Sequence, residues 1–327
     1  MKEIIYAIFL SFFLCGLCGN AEAKKKKEVK KAIKREVQTP YDKLFKGKKA
    51  FTVNGLMKMH LMAGKVYAEF PIELLNRDLA LTSSIEDISD NGEGVVGQFA
   101  GRVNQFRFTL RDSMLQARLV RRYGVKNTGM GKNADQIIER SNTPGIFQSY
   151  KILAYTPDKK AVVVDMTELF LESSRLTNPF PSYAGNSLYG FVQRIHKFQS
   201  QRSELLGICG NDNSMSVRCN LGFNVDRLVL GSFMQAKDVP VSVTVNKILM
   251  LLPEDPMRPR LADSRIGVNA IIQTELPDVC QGIKTYYITK RWRIEPVDEI
   301  RYKQGEMVDV KKPIVFYIDT LMPDSWI

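Results

Sequence analysis

The chain has 327 residues, 47 Lys and Arg against 35 Asp and Glu, a net charge of +12, 44% hydrophobic residues and five cysteines. This composition excludes a disordered, collagenous or multi-span membrane protein and leaves ample material for a sizeable core. Only two histidines are present, which argues against histidine-rich metal chemistry within the chain.

Residues 1–23 read as a secretory signal peptide: Lys2, an apolar run from Ile4 to Leu17, and Ala21-Glu22-Ala23 as a small-x-small cleavage site. The apolar run is shorter than the roughly 20 residues of a spanning helix. A lipid-anchored reading is weaker, because Leu14 and Leu17 stand where a small residue should precede Cys15 or Cys18. The expected location is therefore the periplasm, the outer surface or the medium. Residues 24–50 form a basic linker, and Lys24 to Lys49 carries +9 of the +12 net charge. Val29, Ile33 and Val37 recur every four residues, compatible with a short amphipathic helix in weak contact with an anionic surface, or with a solvated tether. No nucleic-acid partner is expected, since interleaved aromatics are missing.

From Phe51 the pattern turns to period two. Met57, Met59 and Leu61 alternate with Lys58 and His60, Ala63-Gly64 turns, and Val66, Ala68 and Phe70 alternate with Tyr67 and Glu69, predicting a hairpin with one wet face. Pro71 opens a short helical turn through Leu75, and Leu79 to Ile85 is a strand. Residues 51–88 are read as a small N-terminal hairpin unit.

Residues 89–285 are read as the main β domain. Ser89 to Gly101 concentrates turn residues; Asp87, Asp90 and Glu93 do not fit a twelve-residue calcium loop and are taken as a plain turn. Phe106, Phe108 and Leu110, then Leu115, Ala117 and Leu119, predict a second hairpin across Arg111-Asp112-Ser113. A short helix follows at Asn133 to Ser141. Gln148 to Tyr155 pairs with Ala161 to Met166, Val162-Val163-Val164 forms an inner strand, and Thr167 caps the next turn. Asp165 and Glu168, at a strand-to-helix corner, suit capping better than acid–base catalysis. Thr177 to Gly190 is an irregular surface connection. Cys209 and Cys219 flank a Gly-Asn-Asp-Asn turn and leave two alternatives, a hairpin disulfide with Cys280 odd, or free thiols. Val239 to Leu252 is a strand sinking into the core.

Residues 286–327 form a connector and the start of a further domain. Upstream of it, LPEDPMRPRLADSRIG (Leu252 to Gly267) carries Arg258, Arg260, Asp263 and Arg265, read as an ion-pair knot ahead of an anion site. YYITKRWRIEP (Tyr286 to Pro296) predicts a buried Trp292 between outward Arg291 and Arg293. KKPIVFYID (Lys311 to Asp319) predicts a buried strand over Ile314 to Ile318, with Pro323-Asp324-Ser325-Trp326 as a helix start. The scarcity of chain after Ile318 suggests a truncation.

LPEDPMRPRLADSRIG, KRWRIEP (Lys290 to Pro296) and GEMVDVKKPIVFYID (Gly305 to Asp319) resemble the junction ahead of the catalytic domain in large secreted bacterial zinc-dependent metalloproteases of the metzincin kind, and the similarity extends back through YDKLFKGKK (Tyr41 to Lys49), GKVYAEFPIELLNRDL (Gly64 to Leu79) and VVVDMTELF (Val162 to Phe170) in their N-terminal domains. The chain departs from the expected pattern at Cys209 to Cys219. The resemblance implies that zinc ligands and the catalytic glutamate of an HExxHxxGxxH domain lie past Ile327, so no catalytic, cofactor-binding or metal residue is assigned here, and the chain alone is expected to be inactive. No Gly-x-Ser-x-Gly elbow, Walker loop or dinucleotide fingerprint occurs. The expected fold is mainly β: a hairpin-rich antiparallel sandwich or barrel-like body with short helices, plus the first strand of a truncated α/β catalytic domain. The expected role is a scaffold, pro-region or substrate-presenting domain for that peptidase, with protein or peptide substrates as partners. The alternative is a stand-alone exported binding module for envelope peptides or glycans.

Overall fold

A computed structural model describes residues 38–316, apart from 102, 121–125, 129–131, 174–175, 181–182, 188–189, 231–234 and 278–283, together with 318, 322–323 and 325. The signal peptide, Lys24 to Val37 of the basic linker, Cys280, Tyr317, Asp324 and Trp326 lie outside the described residues.

In chain order the elements are α1 (Pro40–Phe45), β1 (Phe51–Val53), β2 (Lys58–Met62), β3 (Lys65–Pro71), β4 (Asp78–Ile88), β5 (Asn104–Arg111), β6 (Met114–Val120), β7 (Lys126–Thr128), α2 (Lys132–Ser141), β8 (Gly145–Tyr155), β9 (Ala161–Asp165), α3 (Thr167–Leu171), β10 (Tyr183–Ser187), β11 (Gly190–Asn211), β12 (Ser214–Leu230), β13 (Gln235–Leu251), β14 (Ala270–Pro277), β15 (Lys284–Thr289) and α4 (Glu299–Lys303). The fold is mainly β with short helices. One antiparallel sheet runs β1-β2-β3-β9-β8-β6-β5-β4-β13-β12-β11-β10, and a small sheet runs β15-β14-β7 with β7 parallel to β14.

The predicted hairpins form for the reasons read from the sequence. Ala63 and Gly64 both take positive φ, 51° and 70°, the backbone twist a two-residue hairpin between β2 and β3 requires. Asp112 at φ 53° turns β5 into β6. Val162, Val163 and Val164 are fully buried because β9 is flanked by β3 and β8.

The sheet rolls without closing into a barrel. Its two ends approach where Leu56 N–H donates to Asn211 O at 2.7 Å, between the β1–β2 connection and the β11–β12 turn. The roll encloses a first core of Met59, Val66, Phe70, Leu79, Phe106, Phe108, Leu115, Val217 and Leu249, with α3 adding Leu169 and Phe170. The long strands β4, β12 and β13 continue past it into a second core around Ile85, Leu221, Phe223, Val225, Val241 and Val243, plugged by Phe180.

Several expectations need correction. The face of β2–β3 read as wet is covered: His60 is 6% and Glu69 8% exposed, because Tyr41 and Phe45 of α1 pack over them. The connection from Thr177 to Gly190 contains an edge strand, β10, and among its described residues Thr177, Pro179 and Phe180 are buried. Thr167 does not cap α3; the N-cap is Met166, and Thr167 Oγ1 accepts from Val66 N–H at 3.0 Å instead.

The strand predicted over Ile314 to Ile318 does not form among the described residues. Pairing in this stretch stops at an isolated bridge between Val310 and Pro296, and Val315 and Phe316 are 61% and 75% exposed. An apolar β-branched run becomes a strand only when it pairs with a neighbouring edge, and residues 314–316 and 318 pair with none of the described strands. Trp292 is likewise 64% exposed, since β15 ends at Thr289 and the alternation that would have buried the indole ends with it.

Candidate functional site

Three features with chemically capable side chains stand out: two buried carboxylate–histidine clusters and a buried lysine, Lys247. A fourth feature is an exposed apolar surface on residues 261–322.

The first cluster sits on adjacent strands. Thr52 and His60 are direct cross-strand partners of β1 and β2, and Glu69 follows on β3. Thr52 Oγ1 lies 2.8 Å from His60 Nδ1, and His60 Nε2 lies 3.0 Å from Glu69 Oε1. The same oxygen accepts from the Tyr41 hydroxyl at 2.6 Å and stands 3.5 Å from Lys58 Nζ. Burial works to raise the Glu69 carboxyl, but hydrogen bonds from His60 and Tyr41 outweigh it and hold the group below the usual carboxylate range. Burial and the hydrogen bond to Glu69 push the Tyr41 hydroxyl well above its ordinary value. Phe45 closes over the imidazole at 4.4 Å between ring centroids. Both imidazole nitrogens and Glu69 Oε1 are engaged internally, so the cluster fastens α1 to the sheet.

The second cluster gathers the turn residues. Glu93, its side chain 1% exposed, accepts from His196 Nε2 at 2.6 Å and from Arg227 Nε at 2.7 Å. Arg227 also pairs with Asp90, whose carboxyl the guanidinium holds below its ordinary range. Arg194 Nη1 donates to Gly92 O at 2.5 Å, and Phe180 stacks on His196 at 4.9 Å. Asp90 and Glu93 are thus turned towards guanidinium and imidazole groups, and Asp87 lies apart on the outer face, in a shallow depression with Ser89, Leu206, Asn220, Ser242 and Thr244. This agrees with the plain-turn reading: the residues fasten the 89–101 loop to β11 and β12.

Neither cluster fits zinc. Each histidine faces one carboxylate on a separate part of the sheet, and no group of three or more His, Cys, Asp or Glu poised to hold a metal occurs among the described residues.

The other sequence candidates resolve as follows. Asp165 accepts from Lys65 Nζ at 2.8 Å and from Thr167 N–H at 3.0 Å, while Glu168 bonds Gln148, so the two carboxylates serve separate structural contacts. Cys209 and Cys219 are both free thiols. Cys209 pairs with Ser216 and Cys219 with Leu205, which places the two sulfurs on opposite faces of the hairpin and rules out a bond between them. The proposed knot reduces to one exposed pair, Asp263 with Arg265. Residues 255–260 are instead held by Arg291 Nη2 to Arg258 O at 3.0 Å, Thr289 N–H to Arg260 O at 2.9 Å and Arg293 Nη1 to Asp255 O at 2.9 Å.

Sequence reasoning missed Lys247. It lies on β13, 1% exposed, within the valine alternation that announces the buried face. Its Nζ donates to Glu172 O at 3.1 Å, and burial pulls the ammonium down to about 8. Strict alternation from Val241, Val243 and Val245 would have found it, because position 247 belongs to the same inward set.

The apolar surface is made by Leu261, Ile266, Trp292, Ile300, Met307 and Phe316, all more than 60% exposed, with Met307 at 98%. Trp292 and Phe316 meet edge to face at 6.3 Å. Large exposed apolar side chains gathered on one stretch mark an interaction surface more often than chance exposure does.

Comparison with known protein families gives two matches: a domain of unknown function, DUF5118, over residues 38–88, and a domain of unknown function, DUF5117, over residues 97–297. No curated protein and no solved structure matches the chain. The two matched segments meet in the loop after β4, yet β4 of the first pairs with β5 and β13 of the second in one sheet, and both supply the first core. The DUF5117 match spans more than half of the chain, and the protein therefore belongs to that family, carrying a DUF5118 segment ahead of it.

Proposed function

We propose that this chain is the non-catalytic N-terminal portion of an exported zinc-dependent metallopeptidase and acts as the scaffold against which the peptidase domain docks. One observation carries the reading: residues 38–251 fold around two closed cores, whereas residues 261–318 leave Trp292, Met307, Val315 and Phe316 mostly exposed. The resemblance of the same stretches to the junction ahead of a metzincin catalytic domain supplies the kind of partner. Zinc and the catalytic carboxylate belong to that partner.

The test is to read the coding DNA beyond Ile327 and, where the frame encodes HExxHxxGxxH, to purify that segment and titrate it with this chain. A complex that changes casein hydrolysis supports the proposal, and the direction of change separates scaffold from inhibitory pro-region. A stop codon without such a frame, or no binding, overturns it.

A second reading, an exported module binding glycans or peptides, is favoured by the depression on the outer face. Its lining of one carboxylate, one amide, three hydroxyls and an exposed leucine lies beside register shifts in β11 and between β13 and β4. Such bulges commonly re-aim side chains next to binding sites. Retention on peptidoglycan or a polysaccharide, lost in Asn220→Ala, supports this reading.

A further inference from the structure

The outer face of the long strands carries a row of polar side chains that the fold does not use. Asp87 pairs with Thr244, Thr244 with Asn220 and Asn220 with Glu204, across β4, β13, β12 and β11. Directly opposed residues share a face and stand about 5 Å apart at each step. Val243, Val245, Cys219 and Leu221, their neighbours along β13 and β12, point into the second core, so the row points outward. Asp87, Thr244 and Asn220 line the outer depression with Ser242, and its volume is about 230 Å³. Neither the four side chains of the row nor the Ser242 hydroxyl makes a hydrogen bond or ion pair among the described residues. Two register shifts shape the place. The shift between Leu205 and Gly207 leaves Leu206 as an extra residue turned into the depression, and the shift between Thr244 and Val245 leaves Glu86 free to bond Arg218.

No lysine or arginine lines the depression, and the nearby guanidinium groups are engaged elsewhere. Arg218 bonds Glu86, while Arg202, lying over Gly222, donates to Phe223 O and Asn224 Oδ1. The row therefore offers two carboxylates, which only accept, with an amide and hydroxyls, which donate and accept. Acceptors outnumber donors and no free cation balances them, so phosphate, sulfate and uronate groups are disfavoured. A ligand that satisfies the row brings many O–H donors and no negative charge. We infer that the row binds an uncharged sugar chain laid across β4, β13, β12 and β11. Asp87 and Glu204 accept from sugar hydroxyls at its two ends, Asn220 and Thr244 bond the hydroxyls between them, and Leu206 packs against the C–H face of a ring. Ser84 pairs with Asn246, two residues along β13 from Thr244, so Phe99, bridged to Ser84 and 75% exposed, flanks the row on the same face as a further apolar contact. The inference rests on the binding-module reading and narrows its ligand to uncharged glycans.

The test titrates the full chain with a panel of soluble ligands: neutral glucan, mannan, xylan and chitin oligosaccharides, uronic-acid oligosaccharides, muropeptides and extended peptides. The expected result is binding of a neutral oligosaccharide with the same Kd at low and high salt. Asp87→Ala and Asn220→Ala should each weaken it about tenfold. Both variants should keep the parent's melting temperature, because the substituted side chains lie on the surface and hold nothing in the fold. A neutral oligosaccharide bound equally well by both variants overturns the inference. Binding confined to uronic chains, muropeptides or peptides, and lost in Asn220→Ala, also overturns it while leaving the binding-module reading in place. Binding to no member of the panel overturns both.

Discussion

Replacing Lys247 by methionine, under reductant so that both thiols stay reduced, tests the electrostatic reading of the body directly. Methionine keeps the length of the stem and removes the charge. In the folded protein burial holds the ammonium near 8, against an ordinary 10.5, and Lys247 is 1% exposed, so solvent screening gives little relief. A difference of this size corresponds to about 3 kcal/mol of destabilisation whenever the lysine is protonated in both states. The sign follows from proton binding. Below about pH 8 both folded and unfolded lysine hold the proton, and the full penalty applies. Between about 8 and 10.5 the unfolded lysine keeps the proton while the folded one has lost it, so stability rises with pH and the penalty fades. Cys219 works in the opposite direction above its ordinary 9, where the variant also loses the Lys247 charge that draws the thiol down, so the comparison is read from pH 7 to 9. Loss of the hydrogen bond to Glu172 O takes back about 1 kcal/mol, which leaves Lys247→Met more stable at pH 7 by roughly 2 kcal/mol. Urea denaturation at pH 7, 8 and 9 should show the gap closing as pH rises. Parallel profiles, or a methionine variant less stable at pH 7, would refute the argument that the amine is carried at a cost.

Three further outcomes follow from the packing. Gly55→Ala places a Cβ 2.8 Å from Asn211 O and 2.9 Å from Asn211 N, backbone atoms that cannot rotate away, so the seam of the rolled sheet should open at a cost of about 1–3 kcal/mol by thermal melting. Glu93→Ala takes the carboxylate from His196 and leaves Arg227 with Asp90 alone, and should lose on the order of 3 kcal/mol, with faster proteolysis in the 89–101 loop; a loss under about 1 kcal/mol would mean that the cluster does not fasten that loop. Trp292→Ser should leave stability within about 0.5 kcal/mol of the parent, because the indole is 64% exposed, while weakening binding of the proposed peptidase partner in the titration described above.

The amino-acid sequence by itself determined the class and most of the hairpins. Period-two alternation at Phe106, Phe108, Leu115 and Ala117, with Ala63-Gly64 and Arg111-Asp112-Ser113 between runs, specifies antiparallel neighbours, because side-chain period and turn chemistry are local properties. What covers each face is not local. His60 and Glu69 look solvated beside Lys58 and become buried only when α1 folds back over them; Phe180 looks like loop and becomes the plug of a core. Lys247 reads as a surface lysine by type and as core by position, and only the placement of α3 against β12 and β13 shows its partners. Conversely, Val315 and Phe316 carry the pattern of a buried strand, yet they stand in the open. Apolar pattern states what a segment would gain from burial, whereas burial itself depends on a neighbouring surface that a single stretch of sequence does not encode.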